Sequence, residues 1–151
     1  MKDMPDQTAQ RQAWMSLLAK APGGRAAELL DAAMPRPGFD WLRRPETGSV
    51  MVRGRTSGTG APFNMGEMTV TRCTLRLESG EIGHAYLQGR SKADAEVAAL
   101  VDALMQSEAA ERLQEAVLRP LEAESSTRRS ARAAKAAATK VDFFTMARGE
   151  D

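Results

Sequence analysis

The chain is short of the residues from which most catalytic centres are made. It has one cysteine, Cys73, and one histidine, His84, among 151 residues. A single thiol excludes an internal disulfide framework and fits a reducing compartment. One Cys and one His do not complete a zinc-type ligand set without carboxylates or another chain. Aromatic residues make up only 5% of the chain against 42% hydrophobic residues, so the core has to be aliphatic, built from Leu, Val, Ala and the 9 methionines. Neither sign of charge is in excess. The net charge of +1 lacks the polyelectrolyte signature of a nucleic-acid-binding or membrane-surface protein. No apolar run approaches the roughly 20 residues that span a bilayer. The opening MKDMPDQTAQ is polar, contains Pro5 and lacks the apolar stretch of a signal peptide. The expectation is a soluble, cytoplasmic, single-domain protein over residues 1–151.

What is present falls into three zones. Thr8 to Lys20 has helical spacing, with Ala13, Trp14, Leu17 and Leu18 on neighbouring faces, and Pro22-Gly23-Gly24 stops it. Arg25 to Met34 predicts a second short helix, broken by Pro35-Arg36-Pro37-Gly38. The period then changes. SVMVRGR (Ser49 to Arg55), EMTVTRCTLRL (Glu67 to Leu77) and EIGHAYLQ (Glu81 to Gln88) predict strands. The last two are joined at Ser79-Gly80 as a hairpin. In the second strand the apolar phase switches between Val70 and Cys73, which predicts a bulge or a strand covered on both faces. Strands joined by hairpins imply an antiparallel sheet, not a parallel nucleotide-binding one. Helices return at Ser91, where Ser91 to Asp94 resembles a capping box. Val97, Leu100, Val101, Leu104 and Met105 form the stripe expected to cover the sheet. Ser107 is expected to cap a further helix, and Pro120 to interrupt it. The fold class expected is α+β: a small antiparallel sheet of three or four strands packed against N-terminal and C-terminal helices.

The residues that could carry chemistry are few. The stretch RGRTSGTGAPF combines Arg53, Arg55, Thr56, Ser57, Gly58, Thr59 and Gly60. Backbone amides of a glycine-rich turn cradle anions, and arginines add fixed charge. The stretch fits neither a P-loop, having no lysine, nor a dinucleotide fingerprint, because Phe63 stands where the third glycine belongs. It reads either as a phosphate-holding turn or as a plain inter-strand connection. His84 shares a strand face with Ile82 and Tyr86; it is either a base lacking an assignable partner or a histidine hydrogen-bonded within the sheet. Cys73 reads as core. The carboxylates from Asp94 to Glu124 read mostly as a solvated helix face. The segment from about 121 to 151 is an alanine-rich basic helix with Arg128, Arg129, Arg132 and Lys135, followed by VDFFTMARGED with Phe143, Phe144 and Met146. Its arginines lack the interleaved aromatics of a nucleic-acid binder, and its other face lacks the Leu or Trp of a membrane-surface helix. It is therefore read as a surface for another protein chain, together with the Phe143-Phe144 tail, whose alternative is docking on its own domain.

Taken in order, ETGSVMVRGR running into SGTGAPFNMGEMTVTR, then GHAYLQGR, ALVDALMQ and VDFFTMARG closely resemble the PhnG family, a subunit of the bacterial carbon–phosphorus lyase system. The resemblance extends from Gln10 to Gly149. It implies an accessory subunit acting with H-, I- and J-type subunits and an ATP-binding-cassette-type L subunit. It also implies a reaction in which a phosphonate replaces the adenine of MgATP, giving α-D-ribose 1-methylphosphonate 5-triphosphate. The family supplies no catalytic residue to carry onto these positions, and no metal or cofactor is expected on this chain. A ligand with a triphosphate gives the Arg53–Gly60 loop a reason to exist.

Overall fold

In the computed structural model, which describes residues 4–141 and 143, the expected strands form one antiparallel sheet in the order β1-β2-β3. They are β1 (Phe39–Arg55), β2 (Pro62–Leu77) and β3 (Ile82–Gln88). Alternation puts Thr71, Cys73, Leu75 and Leu77 of β2 and Gly83, Ala85 and Leu87 of β3 on one buried face. Two of these strands are longer than the sequence predicts. β1 starts at Phe39, not Ser49, and passes through Pro45. This is possible because β1 is an edge strand, where a missing N–H breaks no ladder, and because register shifts between Trp41, Arg43 and Glu46 absorb the proline. Phe39 and Trp41 pack edge-to-face with centroids 4.8 Å apart. β2 starts at Pro62, not Glu67. A third register shift sets Val52 opposite Gly66 and Arg53 opposite Asn64, leaving Met65 as the extra residue of a bulge.

The apolar phase switch in β2 is not a bulge at that point. Thr71 occupies the core position that the pattern leaves vacant. Its hydroxyl donates to the Gly89 carbonyl at 2.7 Å and accepts from Thr47 Oγ1 at 3.0 Å, so it is buried with its hydrogen bonds made. Val70 is buried on the opposite face.

Three helical layers close the core. α1 (Met4–Ala19) and α2 (Arg25–Ala33) flank α3 (Lys92–Leu104), which lies across β3 and β2. α3 is buried on almost every side, from Ala95 through Leu104 apart from Glu96. Ser91 caps it, accepting from the Asp94 amide at 3.2 Å. The return half of the box is absent: the Asp94 carboxylate accepts instead from the Gly24 amide at 3.0 Å, tying α3 to the start of α2. The close approach of α3 to the sheet depends on Gly83, where a Cβ would overlap the Ala99 carbonyl oxygen and lie 2.9 Å from the Ala103 Cβ. Ser107 does not cap the next helix. Its hydroxyl donates to the Leu104 carbonyl and accepts from Ala109 N, closing the turn after α3, and Ala109 holds the cap position.

Nor does Pro120 end that helix. α4 (Ala110–Leu113) runs through a π turn (Gln114–Leu118) into α5 (Arg119–Ala138). A proline ring clashes with the carbonyl four residues back, and the wider π turn just before it relieves that clash. Leu113, Val117, Leu118 and Leu121 of this continuous helix are buried, and from Ser126 to Ala138 every residue is exposed.

Candidate functional site

The glycine-rich stretch lies at the far end of the β1–β2 hairpin. Thr56–Gly58 form a 3-10 turn closed by Gly60 N donating to the Thr56 carbonyl at 2.9 Å. Ser57 and Gly58 adopt left-handed φ values of 54° and 75°, which reverse the chain at low cost only where side chains are short or absent. Arg55 Nη1 donates to the Gly60 carbonyl at 3.1 Å. Arg53 and Arg55 share one face of the ribbon, opposite Asn64 and Pro62. Arg53, Arg55, Thr56, Ser57, Gly58 and Thr59 are exposed, and Gly60 is half-buried.

His84 is not part of that cluster. Its strand partner Thr74 lies ten residues along β2 from Asn64, the partner of Arg53, so the two are about 30 Å apart. His84 faces solvent with Ile82 and Tyr86, and its Nδ1 meets Thr74 Oγ1 at 3.1 Å. That is the cross-strand hydrogen bond of a sheet histidine. Cys73 is buried, and its thiol donates to the Ala95 carbonyl at 3.2 Å. Burial, reinforced by the charge of Glu96, pushes its pKa up to about 12, so it holds no thiolate at neutral pH.

One carboxylate departs from the expected solvated face. Asp102 is fully buried on α3. Its oxygens accept from Arg11 Nε (3.2 Å) and Nη2 (2.8 Å), Trp14 Nε1 (2.8 Å) and the backbone N–H of His84 (2.9 Å). Arg11 and Gln106 also donate to the Ile82 carbonyl, at 3.2 and 2.9 Å. The Ile82 carbonyl and His84 N–H of β3 are thereby satisfied by side chains from α1, α3 and the turn that follows α3. Every acceptor direction of Asp102 is used, so it clamps three elements and has no lone pair to offer a substrate. The sequence signal was a single Asp inside the apolar run from Val97 to Met105. Among the described residues no group of three or more His, Cys, Asp and Glu could hold a metal ion, and no helix is long and apolar enough to cross a membrane.

The residues expected to meet other chains lie on the α4–α5 helix and beyond it in sequence. α1 and the α4–α5 helix enclose an open groove of about 1010 Å3 lined by Trp14, Leu17, Met105, Leu118 and Leu121, with Arg128 and Arg129 also along it. Arg25 on α2 anchors the start of α5 through Glu124, at 2.8 and 3.0 Å. That contact holds the Glu124 carboxyl below the usual carboxylate range. Arg132 lies farther out on the exposed part of α5. Phe143 is 90% exposed. Phe144 and Met146 lie outside the described residues.

Among the described residues the body thus carries a buried clamp but no reactive constellation, and the chain also presents a cationic hairpin tip and an exposed basic helix. Comparison with known proteins gives this arrangement a context. Residues 9–149 match the family model of PhnG, described as phosphonate metabolism protein PhnG. The chain is 51% identical over 147 residues to the alpha-D-ribose 1-methylphosphonate 5-triphosphate synthase subunit PhnG of Rhizobium meliloti (strain 1021), covering 95% of this chain and 92% of that protein. The chain belongs to the PhnG family of phosphonate metabolism proteins.

Proposed function

We propose that this chain is an accessory subunit of an α-D-ribose 1-methylphosphonate 5-triphosphate synthase in organophosphonate catabolism, and that turnover belongs to the assembled complex. The observation that carries this reading is the 51% identity, over 95% of the chain, to a subunit of that synthase. The complex exchanges the adenine of MgATP for a phosphonate; MgATP is its substrate, and this chain binds no cofactor of its own. Its partners are the H-, I- and J-type subunits and the ATP-binding-cassette-type L subunit, in the cytoplasm.

The surfaces on the molecule support a subunit role. From Ser126 to Ala138 every residue of α5 is exposed, along a stretch about 20 Å long. Helices of this length are marginal in water without packing. Arg128, Arg129 and Arg132 on this helix, with Phe143, Phe144 and Met146 beyond it, form the proposed contact surface for a partner. An exposed Phe leaves about 150 Å2 or more of apolar surface in water.

The test is reconstitution. The chain mixed alone with MgATP and methylphosphonate releases no adenine; the complete set of subunits does; omission of this chain abolishes release. Adenine produced by the isolated chain would refute the accessory role. A chain ending before Val141 is expected to co-purify with the other subunits at reduced yield.

A further inference from the structure

The β1–β2 hairpin outruns the sheet to which it belongs. β3 pairs with β2 only from Val70 to Arg76, whereas the β1–β2 ladder continues to Arg55 and Pro62. The unsupported part, Ser49 to Arg55 against Pro62 to Thr69, is about 25 Å long. No residue from 48 to 69 is buried. A two-stranded ribbon is marginal in water by itself, yet this one displays Met51, Phe63 and Met65 at 52%, 47% and 64% exposure. Its free edge is also unguarded. The sheet-supported part of β1 carries Arg43, Arg44, Pro45, Glu46 and two register breaks, the features that discourage further pairing. Gly48 to Val52 has no proline, no charge and no break.

Beyond this apolar stem the chemistry changes. Arg53 and Arg55 sit on one face, two residues apart. Among the described residues neither has a carboxylate within ion-pair distance. The arm is a cationic tip on an apolar stem.

We infer that, given the subunit role proposed above, this arm seats in a cleft of another subunit. Its stem lies against the cleft wall, and Arg53 and Arg55 contact the triphosphate of the nucleotide bound there. Charge complementarity favours this occupant: two guanidinium groups free of carboxylates present planar donor forks that match phosphate oxygens. Size agrees. A ribbon about 25 Å long and about 10 Å wide, covered on both faces and one edge, approaches the roughly 800 Å2 that one side of a stable interface buries. A second copy of this chain is a poor host. Its groove is lined by Lys20, Arg119, Arg128 and Arg129 against one carboxylate, Glu122, and like charges oppose the tip. The arm accounts for why a chain without a reactive constellation is needed for turnover: it supplies phosphate-binding groups to a site housed elsewhere.

The test uses the complete reconstituted complex with full-length variants. With Arg53→Ala/Arg55→Ala, subunit stoichiometry is unchanged, while kcat/KM for MgATP falls about 10- to 100-fold and ATP affinity falls in parallel; Arg→Lys at both positions restores part of the loss. Phe63→Asp/Met65→Asp, at exposed positions, leaves the chain folded by circular dichroism and weakens its assembly. Turnover within about twofold of wild type for the arginine variant overturns the phosphate contact. Undiminished assembly of the Phe63/Met65 variant overturns the insertion of the arm. If wild-type chain itself neither assembles nor supports adenine release, the subunit reading falls and the arm's role with it.

Discussion

The two halves of the β1–β2 hairpin are made from the same two strands, and they have opposite fates. Near the body, Thr71, Cys73, Leu75 and Leu77 lie under α3 with almost no exposure. Past Val70, Met51, Phe63 and Met65 stand in solvent. The α4–α5 helix divides in the same way, with Leu113, Val117, Leu118 and Leu121 buried and Ser126 to Ala138 exposed. Regular backbone geometry continues across both boundaries, but packing stops. The body is therefore stabilised by burial and a few buried polar contacts, whereas the arm and the outer helix rest mainly on their own backbone hydrogen bonds.

The sharpest way to break this contrast is a matched pair of glycine substitutions. Gly83→Ala drives a methyl into the Ala99 carbonyl and the Ala103 side chain; separating α3 from β3 is expected to cost about 3 kcal/mol or more, a fall in Tm of about 10 °C. Gly54→Ala in the arm meets only the flexible side chain of Met65, and thermal melts should place it within about 1 kcal/mol of wild type. Equal losses in the two would erase the distinction. Next is Asp102→Ala, which strands the Trp14 and His84 N–H groups and unpairs Arg11. Denaturant titration should show a loss of about 3 kcal/mol, compared with a few tenths for the exposed pair of Arg119 and Glu115.

Smaller effects sharpen the comparison further. In the isolated chain, amides of the arm should exchange within the shortest hydrogen-exchange times, while those of β3 and α3 persist until global unfolding; equal protection of the arm would show that it is held by more than its own ladder. Cys73, with its thiol raised to about 12, should resist a thiol reagent at pH 8 in the folded chain and react promptly in denaturant. The least effect is expected from Glu46. Hydrogen bonds from Arg43 and then Arg72 hold its carboxyl below the usual range. A lowered folded pKa adds stability that is present above the unfolded value of about 4.3 and is lost as pH falls through the folded value. Any stability difference between wild type and Arg72→Gln should therefore shrink as pH drops below about 4.3. A difference that grows on acidification would contradict this assignment.

Much of the body was legible in advance. The α+β class, the hairpin at Ser79-Gly80, the Ser91 cap and the apolar stripe of α3 each rest on local patterns of period or spacing. The misses share a different cause. Phe39 to Gly48 carries no alternation and contains Pro45, so nothing local marks it as a strand; pairing with β2 makes it one. Pro120 reads as a breaker until a π turn absorbs its ring. Asp102 looks like any helix carboxylate until α1 and β3 bring four donors to it. For the candidate site, Arg53 to Gly60 lie at the end of the β1–β2 hairpin. Their placement on a bare arm, about 30 Å from His84, follows from strand lengths that the pattern underestimates.

By itself the amino-acid sequence determined the family, the order of elements and the aliphatic character of the core, because these depend on residue identity and on spacings of a few positions. Only the tertiary structure decided where packing ends. Whether Thr71 and Asp102 are buried, or Phe63 and Arg128 exposed, depends on which surfaces meet across tens of residues, and burial free energy belongs to those meetings and not to any single stretch of chain.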